Sequence, residues 1–232
     1  MNNNFFRFPH TPHLIWLGEG QPRDDKILSS NAATELLAGE VVVEEKVDGA
    51  NIGFSTSDGC ELLVQSRGDW LQPKHTSPQF RPLWAWLAAR KSALLSALYP
   101  DLILFGEWCY AQHSINYMAL PDWFLGFDVY DQHTANFWEP KRRDELLKQI
   151  NLFSVPTITT GHFTVSSLSA LLVASSGLGH ESLEGIVIRQ TKNGYTRNRA
   201  KLVHPNFTQT ITTHWSRRSI VRNKLVNNEC KS

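Results

Sequence analysis

The sequence lacks paired cysteines, long apolar runs and, at its start, the residue pattern of a leader peptide. Its three cysteines, Cys60, Cys109 and Cys230, are widely separated and form no Cys-x-x-Cys pair, which argues against a disulfide framework and a structural zinc site. No apolar run approaches the roughly 20 residues of a membrane-spanning helix, and the start at Met1 has neither the basic nor the apolar region of a signal peptide. We therefore expect a cytoplasmic protein with no membrane partner.

The sequence also lacks internal repeats and low-complexity linkers. At 232 residues it is long enough to bury the core of one domain. Strand and helix patterns are interleaved, so the expected fold class is α+β. We divide the chain into a lead-in at residues 1–40, a core at 41–205 and a short basic C-terminal helix and tail at 206–232, and expect a monomer.

Charge is distributed unevenly, although the net charge is only +1. Residues 189–232 carry ten Lys or Arg and a single acid, whereas the rest of the chain carries 13 basic and 21 acidic residues. A basic end on an acidic body is typical of a phosphate-backbone contact, and Arg217, Arg218 and Arg222 are candidates for it. A solvated basic tail is the alternative.

One segment places a lysine and an aspartate at the end of an apolar strand: Glu45-Lys46-Val47-Asp48-Gly49-Ala50-Asn51. The β-branched residues 41–43 predict a strand, Asp48-Gly49 is a turn signal, and residues 51–55 alternate again, so the segment predicts a β-hairpin with Lys46 beside its turn. An exposed lysine beside an ordinary turn is the alternative for this motif alone.

Hydrophobic periodicity predicts the other elements of the core. An amphipathic helix is expected at residues 83–98, between Pro82 and Pro100. Ser166 or Ser167 is the expected N-cap of a later helix. The remaining expected strands are Leu102–Glu107, Phe124–Tyr130, Leu183–Gln190 and Arg199–Val203, and the remaining helices are Arg142–Ile150, Leu168–Ser175 and Thr208–Trp215.

Five further motifs follow Lys46 in a set order: Ser66-Arg67-Gly68, Phe105–Trp108, Phe124–Tyr130, Leu183–Arg189 and Arg199–Val203. Together with the lysine motif, this series resembles the covalent nucleotidyltransferases, which are ATP-dependent DNA ligases, RNA ligases and mRNA capping enzymes. The likeness is closest to nick-sealing RNA ligases of the RNA ligase 2 type, whose first motif also has an asparagine two residues beyond the glycine, as Asn51 is here. The resemblance spans roughly residues 41 to 203.

The resemblance implies an architecture as well as a chemistry. It predicts two antiparallel sheets with flanking helices, enclosing a nucleotide cleft, as in the ATP-grasp-like nucleotidyltransferase domain of ligases. DNA ligases and capping enzymes append an OB-fold domain after the last strand, and only 29 residues follow Val203. We therefore expect no OB-fold domain.

The resemblance assigns the phosphate chemistry to Lys46, Arg199 and Lys201. Lys46 would attack ATP to form lysyl-AMP, for which its amine must be unprotonated, and nearby cations or burial depress a lysine pKa. Arg199 and Lys201 share one strand face and would neutralise the α-phosphate. The family usually has two lysines here, and Arg199 replaces the first. An exposed basic edge strand is the alternative.

The remaining roles concern the metal ion and the nucleoside. Glu184 would bind Mg²⁺ or Mn²⁺, since such ions take few protein carboxylates together with phosphates and water. Glu107 would accept the ribose hydroxyls, and Phe127 would stack on adenine, unless it is simply part of the core. Arg67 would contact the ribose or the phosphates, or else form a surface salt bridge. The remaining predicted nucleotide-site residues are Glu45, Asp48 and Asn51.

These inferences predict an ATP-dependent RNA ligase that joins 5′-phosphate and 3′-hydroxyl ends, with DNA as a possible substrate. The partner would be RNA, with an end-processing or RNA-binding protein as a further possible partner. Three alternatives remain: an adenylyltransferase with another acceptor, an ATP-dependent DNA nick ligase, and a nucleotide- or RNA-binding module with a vestigial site.

Overall fold

The computed structural model describes residues 5–20, 27–57, 60–208 and 220–226. It contains ten strands: β1 Val41–Glu45, β2 Ala50–Ser57, β3 Glu61–Ser66, β4 Leu102–Trp108, β5 Phe124–Asp131, β6 Asn136–Phe137, β7 Phe153–Ser154, β8 Thr157–Gly161, β9 Gly185–Lys192 and β10 Tyr195–Val203. Its α-helices are α1 Ser30–Leu37, α2 Arg81–Ala88, α3 Lys91–Leu98, α4 Pro140–Gln149, α5 Val165–Leu171 and α6 Pro205–Thr208.

The strands form two sheets. The first sheet has the order β10-β9-β1-β8 and is antiparallel throughout. The second sheet has the order β3-β2-β4-β5-β6 and is also antiparallel, except that β7 joins β5 in parallel. The predicted combination of two antiparallel sheets with several helices is confirmed.

Each sheet buries one apolar face against helices. Val41, Val43 and Ile188 of the first sheet pack with Leu36 of α1 and Leu168 of α5. On the second sheet the corresponding core contains Phe54 and Leu104, together with side chains from α2 and α3. Burial of a large apolar side chain stabilises the folded chain by about 1.5–3 kcal/mol, so these two cores hold both sheets as rigid supports.

The predicted hairpin around Asp48-Gly49 is wrong. β1 pairs with β8 and β9, whereas β2 pairs with β3 and β4, so the residues between β1 and β2 cross from one sheet to the other. The Lys46 amide continues the first sheet by donating to Gly185 O at 3.0 Å. Two residues later the Asp48 amide donates to the Tyr117 hydroxyl at 2.9 Å. Tertiary partners of the backbone therefore replace the ladder that a hairpin would need.

The predicted helix at 83–98 consists of two helices, α2 and α3. Arg90 departs from helical geometry at φ −119° and ψ −1°. Its guanidinium lies 4.4 Å from the Trp86 ring and pairs with Asp122 at 2.8 Å. These contacts favour a break that turns Leu94 and Leu98 towards the core, where both are fully buried.

Other predicted boundaries also moved, and the helix predicted at Leu168–Ser175 is α5 at Val165–Leu171. The cap of α5 is Thr164 rather than Ser166 or Ser167, because Thr164 accepts from the Ser167 amide at 3.1 Å while the Ser167 hydroxyl accepts from the Thr164 amide at 2.9 Å. β10 starts four residues before the predicted Arg199. The predicted helix Thr208–Trp215 lies outside the described residues apart from its first one, which ends α6.

The two ends of the described chain pack against the core. Near the start, the Lys201 amide donates to Pro12 O and the Leu14 amide to Lys201 O, each at 2.8 Å, so this segment extends the first sheet beyond β10. Near the end, the buried side chain of Asn223 is bonded to the loop after β4. No helix in the described part of the chain is long and apolar enough to cross a membrane.

Candidate active site

A cavity of about 380 Å³ is lined by residues of both sheets and of the crossover between β1 and β2. Residues 8, 9 and 11 of the N-terminal segment also line it. Most of the residues predicted from the motifs meet here: Glu45, Lys46, Asp48, Asn51, Arg67, Glu107, Phe127 and Lys201. Glu184 contacts Lys46 at the same place.

Lys46 is placed by β1 and held by Glu184. Its Nζ atom lies 2.6 Å from Glu184 Oε1, and Glu184 immediately precedes β9, the strand that pairs with β1. Burial lowers the pKa of Lys46, but attraction first by Glu184 and then by Asp48 and Glu107 outweighs it, so the pKa lies above the ordinary value of 10.5. The expected depressed pKa is not found in this state, in which Lys46 is a paired ammonium.

Three carboxylates surround this lysine. Burial is the main cause that raises the pKa of Glu107 to about 8, and repulsion by Asp48 and Glu184 adds to it against the attraction of Lys46. Burial likewise raises the pKa of Glu184 to about 7, against attraction by Lys46. A Cβ atom at Gly49 would lie 2.8 Å from Trp108 O and 2.9 Å from Glu107 Cγ, so only glycine lets the crossover pass this close to β4.

Asp48 is fixed by the loop after β4. Its Oδ2 atom accepts from the amides of Ser114 at 2.6 Å and Ile115 at 3.0 Å. Asn223, which belongs to the C-terminal segment, accepts from the Tyr117 amide at 2.8 Å and donates to Cys109 O at 2.8 Å. The loop that positions Asp48 is therefore itself held by a residue more than 100 positions later in the chain.

Glu45 contacts a different loop. Its carboxylate accepts from the Ser176 hydroxyl and from the Gly177 amide, the latter at 3.2 Å. Burial raises its pKa, and these hydrogen bonds oppose the shift. Glu45 thus lines the cavity, and both its burial and its two hydrogen bonds affect the protonation of its carboxylate.

Five buried charges connect the two sheets beside the cavity. Glu44 of β1 accepts from Arg143 of α4 and from Arg189 of β9, both at 2.6 Å. Arg189 also pairs with Asp128 of β5 at 2.7 Å, and Asp128 pairs with Arg199 of β10 at the same distance. Burial works to raise the pKa of Glu44, but the guanidinium groups of Arg143 and Arg189 hold it below its usual value.

Arg199 and Lys201 have different surroundings although they lie two residues apart on β10. Lys201 lines the cavity, and its charge lowers the pKa of Glu184. The Arg199 guanidinium pairs with Asp128 and lies 4.5 Å from the Phe8 ring and 4.3 Å from the Phe137 ring, and it is not among the residues that line the cavity. The expectation that both side chains enter the cleft together is therefore met by Lys201 alone.

Phe127 faces the cavity because β5 contains a bulge. Phe105 pairs with Asp128 and Gly106 with Gly126, which leaves Phe127 without a partner on β4. A bulge breaks the alternation of strand faces, so Phe127 and Asp128 both line the cavity. The Phe127 ring meets the Phe8 ring edge to face at 5.2 Å.

Arg67 lies at the rim, where it donates to Nδ1 of His10 at 2.8 Å. Its partner is therefore an imidazole of the N-terminal segment, and no ion pair of Arg67 with a carboxylate is found among the described residues. Sequence reasoning missed this segment, as well as Glu44, Asp128 and Arg189. Arg189 could have been found from the sequence, because it is a basic residue directly after the β-branched run of β9. Asp128 could not, because the bulge in β5 breaks the alternation from which its direction would be predicted.

The donor set fits a hard divalent cation. Glu184 Oε2 is buried and has no hydrogen-bond partner among the described residues. In the same part of the chain no three Asp, Glu, His or Cys side chains are arranged to hold a metal by themselves. Mg²⁺ and Mn²⁺ sites that use one or two carboxylates, completed by phosphate oxygens and water, agree with both observations.

Comparison with known proteins identifies the family of this chain. The profile of the family described as RNA ligase matches residues 39–203. The chain belongs to the RNA ligase family. The resemblance predicted from the motifs is thereby confirmed.

Solved structures of a Naegleria gruberi RNA ligase share the fold. The form with PPi is 23% identical with a TM-score of 0.61, and the match covers 88% of this chain and 60% of that one. A mutant with ATP and Mn is 20% identical with a TM-score of 0.64, covering 90% and 64%. A mutant with AMP and Mn is 19% identical with a TM-score of 0.58, covering 88% and 64%. This chain therefore spans less than two thirds of the ligases it matches, and a search of curated proteins found no match.

Proposed function

We propose that this protein is an ATP-dependent RNA ligase that uses Lys46 as its nucleophile. The observation that carries the proposal is the convergence of Lys46, Lys201 and the carboxylates Glu107 and Glu184 at one cavity of an RNA ligase family member. The ATP, AMP and PPi of the Naegleria ligase structures support ATP as the nucleotide, and the Mn in two of them supports a divalent metal ion.

In the first step, the Lys46 amine attacks the α-phosphorus of ATP, a P–N bond forms, and the P–O bond to pyrophosphate breaks. Lys46 must lose its proton first, which means that its pairing with Glu184 has to be relieved when ATP and metal enter. A divalent cation on the free oxygen of Glu184 would supply positive charge at the α-phosphate. Lys201 would face the same phosphate and stabilise charge that develops on its oxygens.

Other cavity residues would bind the nucleoside. Phe127, presented by the bulge, would stack on the adenine ring. Glu107 would accept the ribose hydroxyls, and Arg67 would approach the ribose or the phosphates from the rim. Glu45 would contact the base, while Asp48 and Asn51 would border Lys46.

Two further transfers complete ligation. A 5′-phosphate oxygen of the RNA attacks the phosphorus of lysyl-AMP, which releases the Lys46 amine and leaves AMP joined to the 5′-phosphate. The 3′-hydroxyl then attacks that 5′-phosphate, a phosphodiester forms, and AMP leaves. Arg199 acts indirectly in this scheme, since through Asp128 it orients Arg189 at the cavity wall.

The proposal is tested by intact mass after incubation with ATP and Mg²⁺. We expect the parent protein to gain one AMP, Lys46→Ala and Lys46→Arg to gain none, and the surface control Lys91→Ala to behave like the parent. A full adduct on Lys46→Ala would contradict the assignment of the nucleophile. Assays with nicked and single-stranded RNA and DNA bearing 5′-phosphate and 3′-hydroxyl ends then test sealing; an adduct without any sealing would favour an adenylyltransferase.

A further inference from the structure

A second depression lies at the far end of β9 and β10, away from Lys46. Its volume is about 480 Å³, and it is lined by Asn136, Lys192, Asn193, Tyr195, Thr196 and Arg197. None of these six side chains is acidic, and Lys192 and Arg197 are exposed. We call it the hairpin groove. Its chemistry combines amide and hydroxyl groups, an aromatic ring and two positive charges.

The turn geometry and hydrogen bonds of the hairpin fix the shape of the hairpin groove. Asn193 and Gly194 have φ values of 55° and 81°, the left-handed pair that a tight two-residue hairpin turn requires. The Glu139 amide donates to Gly194 O, and the Thr196 hydroxyl donates to Trp138 O, each at 3.0 Å. These bonds fasten the hairpin to the start of α4, so a ligand would find the groove already shaped.

A stacked cation borders the same place. The Arg142 guanidinium lies 3.6 Å from the centre of the Trp138 ring and 5.9 Å from that of Tyr195. Both Arg142 and Lys141, beside it on α4, are exposed. Aromatic rings and guanidinium planes beside Lys and Arg form the usual surface for single-stranded nucleic acid, because bases stack on the planes while phosphates meet the charges.

The hairpin groove lies on β10, the strand that also supplies Lys201 to the cavity that holds Lys46. β10 leads from Arg197 to Lys201, and four strand residues span about 13 Å. Between them, Arg199 contacts the ring of Phe8, which lines the cavity, and the ring of Phe137. Asn136, the neighbour of Phe137 on β6, lines the groove. An RNA strand that runs along β10 from the cavity would therefore reach the groove.

We infer that the hairpin groove binds a single-stranded RNA segment of the substrate, next to the end that is joined. This inference rests on the proposed function and extends it to a site for the nucleic acid. Lys192 and Arg197 would neutralise backbone phosphates, and Tyr195 would stack on a base. Phosphate contacts set position and affinity rather than sequence, so we expect little sequence preference from this site.

The test compares two double variants. Lys192→Gln with Arg197→Gln removes both groove charges, while Arg81→Gln with Lys91→Gln removes one arginine and one lysine from the exposed surface of α2 and α3. Binding of 5′-phosphorylated single-stranded RNA is followed by fluorescence anisotropy over a series of salt concentrations. Loss of two phosphate contacts lowers the slope of log K against log salt by about 1.4. The control should keep the slope of the parent.

Three further readouts distinguish the possible failures. We expect the groove variant to form lysyl-AMP like the parent but to seal RNA more slowly, with the defect greatest at high salt. Tyr195→Ala should weaken RNA binding about tenfold, since stacking on one base is lost, and Tyr195→Phe should not. A parental salt slope and sealing rate in the groove variant would overturn the inference while leaving the proposed function intact. Absence of lysyl-AMP from the parent would instead refute the proposed function, whereas RNA binding would still report on the groove.

Discussion

Lys46 and Glu184 form an ion pair of 2.6 Å between the end of one strand and the start of its neighbour. Their backbones are tied as well, because the Lys46 amide donates to the carbonyl of Gly185. The nucleophile we propose and the carboxylate we assign to the metal are therefore positioned by the same stretch of sheet. The separation of their backbones cannot change without disturbing the first sheet, so only the side chains have to move for the ion pair to open when substrate binds.

Removal of Glu184 or Lys201 tests this arrangement. We expect Glu184→Ala and Lys201→Ala each to slow lysyl-AMP formation about a hundredfold, since one charge-stabilising group at a phosphoryl transfer contributes on the order of 3 kcal/mol. Rates come from a time course of intact mass. Glu181→Ala and Lys192→Ala are matched controls at exposed positions that do not line the cavity, and should adenylylate like the parent. Parental rates in the two site variants, with unchanged circular dichroism, would contradict the roles.

Phe127→Ala tests the stacking role that the bulge in β5 permits. We expect KM for ATP to rise with little change in kcat, because stacking supplies binding that is equal in the ground and transition states. Phe127→Tyr keeps an aromatic face and should stay close to the parent. A fall in kcat alone would assign Phe127 to the aromatic cluster around Phe8 rather than to the nucleotide.

The raised pKa of Glu107 makes the stability of the folded protein depend on pH. Its pKa in the folded protein is about 8, against 4.5 without the fold. The folded state therefore holds this proton more tightly, so stability falls as pH rises from about 4.5 to 8 and stays lower above that window. Glu107→Gln removes the buried charge. We expect the variant to unfold at a higher temperature than the parent at pH 9, with little difference at pH 4; equal melting temperatures at pH 9 would contradict the assignment.

Asn223 tests whether the C-terminal segment supports the site. It bonds the loop that supplies the Tyr117 hydroxyl and two amides to Asp48. We expect Asn223→Ala to slow lysyl-AMP formation while leaving secondary structure unchanged, and exposed Lys224→Ala to have no effect. Full adenylylation in Asn223→Ala would show that the loop holds Asp48 without this residue. Arg222 lies in the same segment, and its guanidinium is 5.3 Å from the ring of Tyr110 in the loop after β4. Reversal of the Arg222 charge is therefore expected to disturb this loop as well as RNA binding.

Local signals in the sequence predicted the strands that carry the site. β1 and β9 are β-branched runs with polar residues at their ends, and both lie close to their predicted positions. The order of the motifs also predicts that Lys46, Glu107 and Lys201 lie at one site, and all three line the cavity. Such features are local, and short-range pattern and resemblance suffice to find them.

The parts that were missed depend on contacts between distant residues. Asp48-Gly49 has the composition of a hairpin turn, but the loop after β4 holds Asp48 through the Tyr117 hydroxyl and two backbone amides, and the chain continues into the second sheet. The bulge at Phe127 shifts the pairing of β5 with β4 by one residue, so that Asp128 also lines the cavity. Neither effect leaves a signal in the few neighbouring residues that periodicity reads.

The buried charges beside the cavity yield a last prediction. Arg143 donates to Glu44 at 2.6 Å and to Phe127 O at 2.7 Å, and its side chain is almost fully buried. Arg143→Met keeps much of the volume but leaves Glu44 Oε1 without its partner, and breaking a buried pair costs about 3–5 kcal/mol. We expect urea unfolding to report a loss of that size.

The same substitution should also disturb the nucleotide site, because Arg143 and Arg189 share the Phe127 carbonyl as acceptor. Arg143→Lys keeps the charge but not the planar fork that bonds Glu44 and Phe127 together, so it should recover only part of the stability. Exposed Lys141→Met on the same helix is the control and should unfold like the parent. A cost below about 1 kcal/mol for Arg143→Met, the range of an exposed ion pair, would mean that Arg189 alone compensates Glu44 and that α4 does not hold the two sheets together.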